Sequence, residues 1–249
     1  MKGMYMENEL IKDLDYLGLT HLRDEVYNLL EVAAQKETST LDFFSQAINA
    51  EVAHKRGRAI ERRINQAHFP QRKTLEAFDW SHPDKINEEL VRYLFTLKFA
   101  ENKKNIAFLG LPGVGKTHLL TALGLHACAN GYSVLYETAA NIINHLHAAQ
   151  VAGNFMRTLK NYTKTDILCM DEIGYLPIDQ HGANLLFQVI SARYETGSII
   201  LTSNKAFKEW GDIFNKDAAI TSAILDRLLH HCEVVTIEGK SYRMMARKK

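Results

Sequence analysis

Apolar positions along the chain follow one period in its first quarter and two alternating periods afterwards. Leu10, Ile11, Leu14 and Leu17 recur at helical spacing up to Gly18, and Leu22, Val26, Leu29, Leu30 and Ala33 form a second stripe. A third helix is expected from Ser39 or Thr40, whose hydroxyls suit an N-cap, through Phe44, Ile48, Val52, Ile60 and Ile64 to about His68, with Pro70 as its stop. From Asn105 onward short apolar runs alternate with helical stretches. The runs Asn105–Leu109, Ser133–Tyr136, Thr165–Met170, Ser198–Thr202 and Val234–Ile237 read as buried strands. Between them Thr117–Asn130, Ala139 to about Gln150, Asp179–Glu195 and Ala218–His230 read as helices. This alternation predicts an α/β fold, a central parallel sheet flanked by helices, behind a small all-helical N-terminal domain. The expected boundaries are 1–68 for the helical domain, 69–82 for a linker and 83–249 for the α/β domain.

At 249 residues the chain has ample material for a buried core, and 46% hydrophobic with 24% charged residues is ordinary for a soluble globular protein. Acidic residues in the first 19 positions argue against a signal or transit peptide. The stretch Thr117–Tyr136 lacks charged residues but is broken by Asn130-Gly131, so no membrane span is expected, and the location expected is cytoplasmic. Cys128, Cys169 and Cys232 are too scattered for a disulfide framework or a zinc site.

The candidate chemistry begins at Gly110-Leu111-Pro112-Gly113-Val114-Gly115-Lys116-Thr117, which fills every fixed position of the phosphate-binding loop G-x-x-x-x-G-K-[ST] between a strand and a helix. Glycines let backbone N–H groups face a polyphosphate, the helix N-terminus adds its dipole, Lys116 reaches the β and γ phosphates, and Thr117 offers a hydroxyl to Mg²⁺. The expected ligands are therefore ATP and Mg²⁺. The strand ending in Asp171-Glu172 supplies the second metal-site group, the Asp171 carboxylate, and a neighbour, Glu172, able to polarise the attacking water. Asn204, after the next strand, can orient that water through its amide. Glu172 and Asn204 together argue for a hydrolase over a small-molecule phosphotransferase.

The net charge of +1 hides a segregated distribution. Residues 1–40 hold eight acids against four bases, whereas 54–73 hold seven bases against Glu61 alone. On the third helix Lys55, Arg58 and Arg62 share one side with Arg56 and Arg63 flanking. Such a stripe is either a solvated face or a surface for the DNA backbone, and Lys240, Arg243, Arg247, Lys248 and Lys249 near the C-terminus add weight to the second reading. Arg227 sits near the end of an apolar helix, where the helix dipole alone accommodates a cation, and Arg243 fits either a site or a basic tail. His230 and His231 have no carboxylate or cysteine at ligand spacing, so helix capping is the expectation there.

Taken together, the phosphate loop, Met170-Asp171-Glu172-Ile173-Gly174-Tyr175-Leu176-Pro177, Ile200-Leu201-Thr202-Ser203-Asn204, Leu225-Asp226-Arg227-Leu228-Leu229-His230-His231 and Gly239-Lys240-Ser241-Tyr242-Arg243 resemble the IstB-type transposition helper ATPases, AAA+ relatives of the DnaC helicase loader. The resemblance covers nearly the whole chain. It implies an AAA+ core, and because the sequence stops six residues after Arg243 no C-terminal lid domain is expected. It also implies a homo-oligomer that assembles on double-stranded DNA with ATP, recruits a DDE-type transposase and disassembles on hydrolysis. Lys116 and Thr117 match Walker A, Asp171 and Glu172 Walker B, Asn204 sensor 1, Arg243 sensor 2, and Arg227 an arginine finger reaching a neighbouring subunit. A DnaC-type replicative helicase loader is the alternative that shares this core.

Overall fold

The computed structural model describes residues 2–246, with side chains described for 9–244. Arg247, Lys248 and Lys249 of the basic C-terminus lie outside the described residues. The chain separates into two compact units, Met1–Arg62 and Arg63–Lys249.

The first unit is helical. It comprises α1 (Lys2–Tyr16), α2 (Thr20–Gln35) and most of α3 (Thr40–Ala67). Gly18, at φ +66°, turns the chain between α1 and α2. Ser39 caps α3: its Oγ accepts from the Asp42 N–H at 3.2 Å and donates to the Asp42 carboxylate at 2.6 Å. The interior is thin, built on Leu22, Val26 and Ala47. It is braced by a buried acid, Glu51, which accepts from the Leu22 N–H at 2.9 Å in the first turn of α2.

The second unit holds a five-stranded parallel sheet, β1 (Asn105–Gly110), β2 (Val134–Thr138), β3 (Ile167–Ile173), β4 (Ser198–Ser203) and β5 (Cys232–Ile237), in the order β2-β3-β4-β1-β5. Short helices α4 (Glu88–Leu94) and α5 (Lys98–Glu101) precede β1, and α6 (Lys116–Ala129) follows it. Next come α7 (Ala139–Val151), α8 (Phe155–Thr163) and α9 (Gln180–Arg193), then α10 (Trp210–Ile213), α11 (Ala218–Leu229) and α12 (Tyr242–Ala246). Parallel strands are covered on both faces, so each face of the sheet carries its own core. Ile106, Phe108, Ile167, Cys169, Ile200, Val235 and Ile237 pack on one side with α4 and α6. Ala107, Leu109, Leu168, Met170, Ile199 and Leu201 face the other with α7, α9 and α11. The period-2 alternation within each strand produces this division. The short helix α8 is absent from the sequence expectation although Phe155, Leu159 and Tyr162 form an apolar stripe that packs on the core; at nine residues that stripe spans little more than two turns.

Residues 69–82, expected as a linker, pack into the second unit. Phe78 is buried in its core, with Phe69, Leu75 and Trp80 partly buried against it. Burial pushes the thiols of Cys128 and Cys232 up to about 11 and about 12, so these free cysteines are unreactive at neutral pH. Among the described residues no helix is long and apolar enough to cross a membrane.

Arg193, at the end of α9, is almost wholly buried and stitches the N-terminal edge of the sheet. Its guanidinium donates to the carbonyls of Tyr162, Thr165, Asp166 and Ser198 at 2.8–3.0 Å. Burial draws its pKa down to about 10, which still leaves it charged at neutral pH. Arg193→Met fills much of the same space but strands those carbonyls. It is expected to cost about 3 kcal/mol or more in urea unfolding, whereas a loss below about 1 kcal/mol would show that water replaces the guanidinium.

Candidate functional site

The site forms where β1 runs into α6 at the C-terminal edge of the sheet. Val114 is buried and anchors the loop, while Leu111 and Pro112 project outward. Gly113 and Gly115 lie at φ +83° and +104°, a region that L side chains rarely adopt. A Cβ on Gly113 would stand 2.2 Å from Ser241 Oγ, and one on Gly115 would stand 2.6 Å from the Phe78 ring. Glycine at these positions therefore serves close packing as well as loop conformation. The Tyr242 N–H donates to the Gly113 carbonyl at 2.9 Å, which seats α12 on the loop and brings Arg243 to the cleft wall.

Lys116 opens α6 and is buried, its ammonium held by the carbonyls of Gly110 at 2.6 Å and Leu111 at 2.8 Å. Burial lowers its pKa; Asp171 opposes the shift, Arg243 adds to it and Glu172 opposes it. An anion with several oxygens would supply what this desolvated ammonium lacks.

Asp171 is the most heavily bonded side chain in the site. Thr117 donates to its Oδ1 at 3.2 Å, Thr202 donates to the same oxygen in a very short bond, and Tyr136 donates to Oδ2 at 2.8 Å. Burial, with the adjacent Asp171 carboxylate, raises the Tyr136 pKa, so the phenol stays protonated and donates. The register of β3 against β4 slips here: Met170 pairs with Leu201 and Ile173 with Ser203, leaving Asp171 and Glu172 opposite Thr202. Glu172 takes φ +62° in this bulge, and its N–H donates to Thr202 Oγ1 at 2.9 Å and Asp171 Oδ1 at 3.1 Å. The bulge keeps Asp171 buried and turns Glu172 outward. Asp171 and Glu172 are sequence candidates, whereas Tyr136, in the middle of β2, and Thr202, next to the last residue of β4, are not; inside a strand neither carries a local signal.

These groups border a cleft of about 660 Å³ lined by the phosphate loop, Asp171, Glu172 and Arg243. Its far wall comes from residues 70–82, with Phe78 packed edge-on against Trp80 and His118. That volume accommodates a nucleotide. The Thr117 hydroxyl and Asp171 carboxylate form a hard-oxygen pair, the donor chemistry that suits Mg²⁺.

The remaining sequence candidates lie elsewhere. Asn204 follows β4 outside the lining, its buried Oδ1 without a hydrogen-bond partner and close to Gly174. Arg227 lies at the opposite edge of the sheet. It donates to Ser191 Oγ and the Ala223 carbonyl, both at 3.1 Å, and its guanidinium sits over the Phe187 ring at 4.7 Å. Of the basic stripe, Lys55, Arg56, Arg58 and Arg62 are exposed on α3, whereas Arg63 is half-buried with its guanidinium 3.5 Å from the Cys128 carbonyl. Arg58 also donates to Thr20 Oγ1 at 3.3 Å.

Fold and site together define a P-loop nucleotide-binding protein with an AAA+ core. The chain belongs to the family of IstB-like ATP binding proteins, whose sequence profile matches residues 12–249. It is 42% identical over 242 residues to a Pseudomonas aeruginosa protein named as an ATP-binding protein of insertion sequence IS21, covering 97% of this chain and 91% of that one. It is 40% identical over 220 residues to the corresponding protein of IS5376 from Geobacillus stearothermophilus, covering 88% and 87%. In fold it resembles the DnaC helicase loader, with TM-score 0.53 and 21% identity over 71% of this chain and 99% of that one. AMPPCP-bound DnaA from Aquifex aeolicus gives TM-score 0.57 and 23% identity over 73% and 56%.

Tyr136→Phe removes one donor from Asp171 while leaving the cleft's shape. It is expected to weaken Mg²⁺-dependent nucleotide binding about tenfold and to leave Mg²⁺-free binding nearly unchanged, as read by titrating a fluorescent ATP analogue with and without the metal. Equal losses in both conditions would mean that the phenol shapes the pocket and does not orient the carboxylate.

Proposed function

We propose that this protein is an ATP-dependent DNA-binding helper of transposition: it oligomerises on target DNA with ATP, recruits and stimulates a DDE-type transposase, and comes apart as ATP is hydrolysed. The observation that carries the reading is the separation of Arg227 from the cleft. Lys116, Thr117, Asp171, Glu172 and Arg243 gather at one edge of the sheet, and Arg227 stands at the other. A site completed by Arg227 therefore needs a second copy. Membership of a family whose members are named for insertion sequences supports the transposition context.

In the proposed mechanism, the Lys116 ammonium exchanges the Gly110 and Leu111 carbonyls for β and γ phosphate oxygens, helped by the loop N–H groups. Thr117 and Asp171 would hold Mg²⁺, which would offset phosphate charge. Tyr136 and Thr202 keep Asp171 oriented toward Thr117. Glu172 takes a proton from the attacking water as the new oxygen–phosphorus bond forms and the bond to the ADP oxygen breaks. Asn204 is assigned to orient that water; its carbonyl oxygen is buried outside the cleft lining, so the role requires its side chain to turn toward the cleft. Arg243 approaches the phosphates from the cleft wall, and the neighbour's Arg227 stabilises the charge developing in the transition state.

The exposed cations Lys55, Arg56, Arg58 and Arg62 are assigned to the DNA backbone, and Arg63, the fifth candidate, is half-buried. If those four exposed side chains meet phosphates, log affinity should fall with log salt at a slope of about −3 to −4 per protomer.

Two measurements test the reading. Glu172→Gln should bind ATP, hydrolyse it slowly and remain in a large complex on duplex DNA, seen by fluorescence anisotropy with light scattering. Indifference to duplex DNA in every nucleotide state would reject the DNA role and favour a helicase-loader function. Arg227→Ala should lower kcat about a thousandfold with little change in nucleotide affinity, and mixing it with Glu172→Gln should restore turnover at composite sites. Full activity of Arg227→Ala as a monomer would eliminate the shared site.

A further inference from the structure

The turns that precede β4 and β5 lie at the N-terminal edge of the sheet, away from the nucleotide cleft. There the fold brings Glu195, from the turn after α9, beside His230 and His231, from the turn after α11. One carboxylate oxygen and one ring nitrogen from each histidine all lie within 4.8 Å of one another. The two imidazoles are 4.1 Å apart between ring centroids. The capping role expected for the histidines did not anticipate this carboxylate, because 35 residues separate Glu195 from His230 and only the packing of α9 against α11 joins them.

A second contact makes the cluster more than a coincidence of exposed side chains. The Tyr194 hydroxyl lies 2.9 Å from Nδ1 of His230. With the Nδ1–H of His230 donating to the Tyr194 oxygen, the ring's lone pair is left on Nε2, the arrangement that prepares an imidazole to ligate a metal. Two imidazoles and one carboxylate, with room for water, form the donor set preferred by Zn²⁺ and similar borderline ions, whereas Mg²⁺ and Ca²⁺ favour all-oxygen sets. All three side chains are exposed, so the small rotations that bring their ligand atoms to metal distance meet little packing resistance.

We propose that Glu195, His230 and His231 form a surface site for a divalent transition metal of the Zn²⁺ class, with Tyr194 orienting His230. His230 is the C-cap of α11, whose last turn carries Arg227, and Arg227 is already held against Phe187 and Ser191 of α9. A metal bound there ties the end of α9 to the end of α11 and fixes the turn from which Arg227 projects. The site does not depend on ATP hydrolysis or DNA binding.

The test uses the full chain without a histidine tag and Co²⁺ as the probe, followed by its visible absorption bands, with Zn²⁺ added in competition. One saturable site per chain with the intense spectrum of four- or five-coordinate Co²⁺, displaced by Zn²⁺, is the expected result. His230→Ala, His231→Ala and Glu195→Gln should each weaken binding tenfold or more, and Tyr194→Phe about tenfold, while His147→Ala, at an exposed histidine elsewhere, leaves it unchanged. Binding of an ATP analogue confirms that each variant is folded. A spectrum of hydrated octahedral Co²⁺ alone, or a tight site that survives the paired His230→Ala/His231→Ala change, overturns the proposal.

Discussion

A buried carboxylate must be satisfied from every side or it destabilises the fold that buries it. Asp171 meets that demand by drawing one hydroxyl from each of three other elements, Thr117 of α6, Tyr136 of β2 and Thr202 of β4, plus the N–H of its own neighbour Glu172. The bond network closes only if β2, β3 and β4 lie side by side and the phosphate loop delivers α6 above them. The constraint that stabilises the C-terminal edge of the sheet thus also brings a hydroxyl and a carboxylate oxygen together beside the desolvated Lys116.

The strand order has a second consequence. β4 lies between β1 and β3, so the loop that holds Lys116 and the strand that ends in Asp171 are separated by one strand, and Thr202 fills the gap. The bulge at Asp171-Glu172 relieves the mismatch and divides the acidic pair into one buried and one exposed carboxylate. Two adjacent carboxylates thereby acquire different environments, as the proposed division of labour between metal ligand and proton acceptor requires.

All strands run the same way, so the two edges of the sheet are chemically unlike. One collects the loops that follow strands and holds the cleft; the other collects the turns that precede them and holds Arg193, Arg227, Glu195 and the histidine pair. A rigid sheet separates the two. Chemistry that uses both edges at a single nucleotide is therefore chemistry between copies, which is the physical basis for the proposed assembly.

Local order in the sequence was enough to determine much of this protein. The period of its apolar residues marked the strands and most helices, Ser39 and Pro70 marked the limits of α3, and the fixed spacing of Gly110 to Thr117 identified the phosphate loop, because each depends on residues within a few positions of one another. What depends on neighbours distant in sequence was decided by the tertiary structure alone. Residues 69–82 read as a linker until Phe78 is seen to wall the cleft with Trp80 packed against it, and Tyr136 and Thr202 are ordinary strand residues until β2 and β4 flank Asp171. Glu195 gains its histidine partners only when α9 meets α11. Each of these relations lies across the strand order, and hydrophobic patterning specifies which face of a strand is buried without specifying which strand lies beside it.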